Sequence, residues 1–215
     1  MEDIAYSICY LKNHKLIVLG MEKKIMLYDL LFNVQRFYNC LDNKVSYIYE
    51  LNNGNILLTD LNKKIKILKI DKKQILVDKI IETNDERNFV GVELSNEKII
   101  VGGNIYLSII EDTFWYGYQL QNSIPLNSFI SNIIELNSEQ FLIGQSHVSK
   151  IIVCSSNNNK IIRTFSDINL YSNNYSISKI SEDYVAIAGS EKLIMSGCVY
   201  IFSIKQLSII QKKFI

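Results

Sequence analysis

The stretch SYIYELNNGNILLT, residues 46–59, decides how this chain is read. A strand-like run ends at Leu51, and a polar turn of Asn52, Asn53, Gly54 and Asn55 follows. A dense apolar run of Ile56, Leu57 and Leu58 then closes at Thr59. Asn-Gly between two apolar runs is a strong local signal for a tight hairpin. The same phrase occurs as SICYLKNHKLIVLG at 7–20, FVGVELSNEKIIVGG at 89–103, SNIIELNSEQFLIG at 131–144 and YSISKISEDYVAIAG at 175–189. Leu11, Leu51, Leu94, Leu136 and Ile180 end the first run, at spacings of 40, 43, 42 and 44. Gly20, Thr59, Gly102, Gly144 and Gly189 end the second, at spacings of 39, 43, 42 and 45. The two ladders drift together, as the units of a repeat do and chance apolar clusters do not. A fixed period of this length means that each copy cannot bury its apolar face alone and must stack on its neighbours.

Working outward, each unit resolves into four strands. In the first, residues 4–11 read as a strand, and Lys12, Asn13, His14 and Lys15 form a turn. Leu16 to Leu19 form a continuous apolar run of the kind buried on both faces, residues 25–29 a third strand, and 34–38 a weaker fourth. The second unit repeats this. Its third strand alternates Ile65, Ile67 and Ile70 with Lys64, Lys66 and Lys69, and its outer strand covers 74–81. Helical spacing with caps is absent, which disfavours a helical solenoid. Four short strands per unit, solid apolar inside and mixed outside, are the pattern of a β-propeller blade. The predicted fold is all-β, a propeller of four-stranded antiparallel blades, with five blades visible at about 4–43, 44–88, 89–128, 129–174 and 175–215 in a single domain.

The segment GMEKKIMLYDL at 20–30 resembles the end of a WD40 repeat, with Tyr28 and Asp29 where that family places Trp-Asp. TDLNKKIKILKI at 59–70 is similar in its hairpin and third strand but lacks the dipeptide. The third strands at 105–110, 151–154 and 199–204 depart further, and the family's Gly-His pair is missing throughout. The resemblance is to a divergent WD40-like propeller. It implies a non-enzymatic scaffold for protein–protein interaction inside the cell, possible membership of a larger complex, and rings that usually close with seven blades. Here the chain starts on a first strand and ends on a fourth, 207–215. That leaves three readings: a closed five-blade ring, an incomplete propeller of the seven-blade type, or arcs that pair or are completed by another protein through open blade edges.

Composition is consistent with a globular domain. Of 215 residues, 48% are hydrophobic, enough for a large core, and the formal net charge of +1 provides no general attraction to nucleic acid or an anionic membrane. No run of about 18 apolar residues suggests a membrane span, and the acidic start MEDIAYSI does not resemble a signal peptide. The expected location is intracellular, with the Asn174-Tyr175-Ser176 sequon accidental. Cys9, Cys40, Cys154 and Cys198 lack metal-site or redox spacing and read as reduced thiols. No cofactor or metal is expected.

Candidates for chemistry are few. His14 and His147 lie far apart in turn and loop segments, and the acid pairs Glu111–Asp112 and Glu182–Asp183 lie in expected turns. No phosphate-cradling motif follows Gly102 and Gly103. The cluster Lys63, Lys64, Lys66, Lys69, Lys72 and Lys73 reads as the polar side of an exposed hairpin or as a docking site for an acidic partner. With only Arg36, Arg87 and Arg163 in the chain, bidentate phosphate recognition has few donors. Phe114, Trp115, Tyr116 and Tyr118 are the densest binding-type run. Strand alternation puts Phe114, Tyr116 and Tyr118 on one face. The protein-binding candidates are therefore Phe114, Trp115, Tyr116, Tyr118, Lys63, Lys64 and Lys66. The alternative function is a propeller enzyme or small-ligand sensor with its site at the central channel, which requires polar side chains converging at equivalent positions of several blades.

Overall fold

The repeating phrase becomes a four-stranded antiparallel sheet, formed five times. The structure, a computed structural model, describes residues 4–29, 31, 34–39, 43–71, 74–146, 148, 150–166, 176–190 and 197–214. Blade 1 is β1 (Ser7–Leu11), β2 (Leu16–Gly20), β3 (Ile25–Asp29) and β4 (Val34–Tyr38). Blade 2 is β5 (Val45–Glu50), β6 (Ile56–Asp60), β7 (Lys64–Asp71) and β8 (Gln74–Glu82). Blade 3 is β9 (Asn88–Glu93), β10 (Ile99–Gly103), β11 (Tyr106–Thr113) and β12 (Gly117–Pro125). Blade 4 is β13 (Ile130–Asn137), β14 (Gln140–Gln145), β15 (Lys150–Ser155) and β16 (Ile161–Phe165). Blade 5 is β17 (Ser176–Lys179), β18 (Tyr184–Ser190), β19 (Gly197–Ser203) and β20 (Ser208–Phe214). Strands pair in chain order within every sheet.

The apolar surface lies in the slots between blades. Four clusters of buried residues are found among the described residues, one at each junction. Leu11, Val18 and Ile25 meet Val45, Ile56 and Leu58 between blades 1 and 2. Leu57, Ile65 and Ile67 meet Ile99, Val101 and Ile110 between blades 2 and 3. Ile100, Leu107 and Ile109 meet Ile130, Phe141 and Ile152 between blades 3 and 4. Leu142, Ile151 and Val153 meet Val185, Ile187 and Phe202 between blades 4 and 5. Each such side chain contributes about 1.5–3 kcal/mol when fully buried, so the blades are held chiefly by their neighbours. The first strands pack in succession, β1 on β5, β5 on β9, β9 on β13 and β13 on β17. In blades 2 to 4 the second and third strands are buried on both faces, which explains why they read as unbroken apolar runs.

Each blade therefore has a front face, toward the next blade in the chain, and a back face, toward the preceding one. The first-run anchors Leu11, Leu51, Leu94 and Leu136 lie on front faces and are 0–1% exposed. Their fifth counterpart, Ile180, is 57% exposed, because no described strand packs on the front of blade 5. The second anchor slips by one in that blade. Val90 pairs with Gly102 and Asn132 with Gly144, but the corresponding Ser176 pairs with Ala188, so Ala188 and not Gly189 occupies the position. In blades 1 and 3 this position must be glycine. A β-carbon on Gly20 would come within 2.4 Å of Val45 Cγ1, and one on Gly102 within 2.4 Å of Ile130 Cγ2. The next blade's first strand rests on the bare backbone there.

Candidate interaction surface and blade clasps

Phe114, Trp115 and Tyr116 form the turn between β11 and β12, so they project from the hairpin instead of alternating along a strand. They are 93%, 82% and 70% exposed. The Phe114 and Trp115 rings meet edge to face at 5.1 Å between centroids. Lys79, on β8 of the neighbouring blade, donates from its ammonium to the Tyr116 carbonyl at 3.1 Å, fixing the base of the turn. Gly117 closes it at φ 66°, a conformation other L-residues rarely adopt.

Tyr118 separates from this group. It is 6% exposed and packs in the slot between blades 2 and 3. Its hydroxyl accepts a hydrogen bond from the Asn53 side-chain amide at 2.5 Å. Burial pushes the phenol above its ordinary range, and that hydrogen bond opposes the shift. Of the lysines, Lys63 is exposed and Lys64 half-buried. Lys66 is buried, its ammonium 3.7 Å from the Asp60 carboxylate in the slot facing blade 1. It lies on a strand sandwiched between two blades, so the expected polar face is not continuous. Lys63 and Lys64 lie where β6 turns into β7, at the end of the sheet opposite the turns between first and second strands. The Phe114 hairpin lies at the same end as those turns, so the lysines and the aromatics occupy opposite ends of the blades. Lys72, Lys73, Cys40 and His147 lie outside the described residues.

A second set of residues was overlooked in the sequence. Glu50 ends β5, and its carboxylate accepts from the backbone N–H groups of Lys12 at 2.7 Å and Asn13 at 3.1 Å, in blade 1's first turn. Glu93 accepts from the N–H of Asn52 at 2.5 Å, in blade 2's turn. Glu135 accepts from the N–H of Ser95 at 2.8 Å and from its hydroxyl at 2.6 Å, in blade 3's turn. Each glutamate directly precedes an anchor leucine and clasps the preceding blade. The signal was present as Glu-Leu-Asn or Glu-Leu-Ser in units two to four. The equivalent residue of blade 5 is Lys179, which pairs locally with Glu182 at 3.0 Å. In blade 1 it is Tyr10, half-exposed.

The inner strands carry a group of half-buried titratable residues. Burial raises the Cys9 thiol and the Tyr47 and Tyr49 phenols, and Glu93 and Glu135 add to the effect at Tyr49. Burial also raises Glu93, against the lowering influence of the Asn52 N–H. A groove of about 310 Å³ opens beside this group, lined by Cys9, Tyr10, Lys12, Tyr49 and Glu50. Among the described residues no group of three or more His, Cys, Asp or Glu is placed to hold a metal ion. Among the described residues there is no helix long and apolar enough to cross a membrane.

No family model matches the sequence, and no curated protein matches it. Solved structures do. The WD40 β-propeller domain of Doa1 superposes with a TM-score of 0.71 at 12% identity, over 97% of this chain and 68% of that one. A Bacteroides caccae protein of unknown function superposes with 0.67 at 13%, over 99% and 82%. A chain of the mitotic checkpoint complex superposes with 0.75 at 8%, over 94% of this chain and 62% of its own. At such identities the likeness is one of fold. Together with the five four-stranded sheets, it shows a β-propeller fold like that of WD40 domains.

Proposed function

We propose that the protein is a non-enzymatic interaction scaffold whose blades hold recognition loops in fixed positions, and that the Phe114–Trp115–Tyr116 turn is one such loop. The observation that carries this reading is the exposure of three adjacent aromatic rings on a hairpin braced from its neighbour by Lys79. Exposed aromatic clusters of this kind are enriched among the residues that dominate binding energy. Rigid blades beneath a protruding loop are also how scaffold folds place binding residues. The likeness to a chain of a multi-protein complex supports a subunit role. The carboxylates at equivalent positions of blades 2 to 4 are each occupied by the preceding blade's turn, which favours a scaffold over a small-ligand site. An intracellular setting fits Cys9, Cys154 and Cys198, none of which is in a disulfide.

The test is quantitative affinity capture with the wild type and with Phe114, Trp115 and Tyr116 all replaced by alanine. The variant should melt with the wild type, since its side chains are exposed. It should lose at least one stoichiometric protein partner. An unchanged partner set would remove the turn from the proposal. A clean monomer carrying a tightly held small molecule would overturn the scaffold reading itself.

A further inference from the structure

The back face of blade 1 is built as a blade interface and is open to solvent. Two rows cross it. Ile8 pairs with Leu19, Leu19 with Met26, and Met26 with Phe37; Tyr10 pairs with Ile17, Ile17 with Tyr28, and Tyr28 with Gln35. Partners in an antiparallel ladder point to the same side, so seven of these eight side chains form one apolar or aromatic sheet face. Ile8, Tyr10 and Phe37 are 67%, 50% and 53% exposed. Lys24 rests its ammonium over the Phe37 ring at 5.1 Å, at the outer margin. The corresponding faces of blades 2 to 5 carry Ile56 and Leu58, Ile99 and Val101, Phe141 and Ile143, and Val185 and Ile187, all fully or nearly fully buried. Blade 1 has the composition of those interior faces, without a neighbour among the described residues.

The other open end differs. The front of blade 5 presents Ser178, Ala186, Ile201 and Gln211 in one row and Ser176, Ala188, Val199 and Lys213 in the next. Six of these eight residues are small or polar, the other two being Ile201 and Val199, so this face is less apolar than the back of blade 1.

We propose that the back face of blade 1 receives one of about two β-blades supplied by a partner polypeptide, which together enter the gap between blade 1 and blade 5. Three observations select this occupant. The curvature of the five blades matches a WD40 propeller domain of which they span 68%, so the unmatched third corresponds to about two further units. A second copy docked in blade register would bring five units into that space and collide after two. A face of four strands about 4.8 Å apart and five residues at about 3.4 Å each measures only about 19 by 17 Å. This is too little for a separate stable complex, whereas an occupant that reaches both open faces approaches the usual interface size.

The experiment has two arms and leaves the Phe114 turn untouched. First, the purified full chain is sized by light scattering and titrated with the dye ANS, beside the variant Ile8→Lys with Phe37→Lys. The expected result is a monomer that binds the dye, with binding lost in the variant. A monomer that binds no dye would mean that the chain covers this face itself. A dimer dissolved by the variant would mean that a second copy does. Either result overturns the proposal. Second, a photo-crosslinking residue replaces Leu19 in cells, the linked peptide is sequenced, and its parent protein is co-purified with this chain. A linked segment of alternating or dense apolar strand pattern, in a complex weakened at least tenfold by the two lysines and unaffected by alanines at the Phe114 turn, is the expected result. Links to helical segments, to many unrelated proteins or to none overturn it. Loss of binding only with the alanines would support the scaffold reading and refute this one.

Discussion

Replacing Gly102 by alanine sets two effects of opposite sign against each other. Alanine restricts the unfolded chain more than glycine does, which alone would stabilise the fold by about 0.5–1 kcal/mol. The added carbon, however, would lie 2.4 Å from Ile130 Cγ2, 2.7 Å from Ile130 Cβ and 3.1 Å from Val90 Cγ1. Carbon atoms rest about 3.5–4.0 Å apart, so a displacement of about 1 Å is required. Rotating a side chain cannot supply it, because Cβ of Ile130 is fixed to the backbone and Ile130 is 0% exposed in the slot between blades 3 and 4. The strands must separate, and the overpacking cost belongs at the upper end of the usual range, about 3 kcal/mol. The net expectation is a loss of about 2 kcal/mol. For a chain of this length that lowers the melting temperature by roughly 4–8 °C.

The assay is thermal and urea unfolding followed by far-ultraviolet circular dichroism. Ile130→Ala in both backgrounds completes a cycle. It removes the Cγ2 contact but not the Cβ contact, so a favourable coupling of about 1 kcal/mol is expected. A Gly102→Ala protein as stable as the parent would refute the close approach of blade 4 to blade 3 at this position.

Four further outcomes follow from the same geometry. Ala188→Leu alters the equivalent position of blade 5, where no described strand rests. It should change stability by no more than about 0.5 kcal/mol, and a melting loss comparable to that of Gly102→Ala would show that something covers that face. Glu135→Ala removes the acceptor for the Ser95 N–H and hydroxyl and should cost about 1 kcal/mol. Hydrogen exchange should show faster exchange at the Ser95 amide, while Glu135→Gln should preserve most of the protection. Glu93 is held above its ordinary 4.5 chiefly by burial, so the native state binds the extra proton. Its contribution to stability is thus fully present below the unfolded value and lost as pH rises through the folded one; Glu93→Gln should flatten denaturation profiles in that window, and an unchanged slope would refute the assignment. Burial pushes the Cys154 thiol up to about 12. It should therefore resist a disulfide reagent at pH 8 until urea is added, and rapid labelling of the native protein would contradict its place in the slot between blades 3 and 4.

The architecture was legible because it depends on period and on apolar density, both one-dimensional properties. The fourth strand read at 34–38 is β4, Val34–Tyr38, and the polar turns fall where Asn, Gly and Lys accumulate. What was not legible depends on which face a residue takes. Gly189 continues the spacing of the glycine ladder, yet the pairing of Ser176 with Ala188 shows that one residue of slip moves the glycine to the other side of the sheet. Lys66 alternates with isoleucines like a surface lysine, but both faces of β7 are covered, so alternation there separates two interiors. Phe114 to Tyr116 suit a strand by propensity, and only the hairpin's length places them in its turn. Glu50, Glu93 and Glu135 recur in the sequence before the anchor leucine, but their role requires the preceding blade's turn to lie alongside, about 40 residues away in the chain.

The two ends of the arc raise a physical question that composition helps to answer. If water were the intended neighbour at both ends, selection against aggregation would leave both faces mostly small or polar, as six of the eight residues in the front rows of blade 5 are. If the fifth blade were the intended neighbour of the first, the two faces would be buried together. Instead Ile8, Phe37 and Tyr10 remain half or more exposed, on a face otherwise like those sealed inside the other junctions. The clasp residue changes at the same place. A carboxylate would hold the N–H groups of a preceding turn, and blade 1 carries Tyr10 there, which keeps an apolar body with a polar tip when no such turn is present. The open apolar face is what distinguishes this edge, since the glutamate is also replaced, by Lys179, at the sealed junction of blades 4 and 5. There the chain is suited to receive a neighbour that it does not itself supply among its described strands.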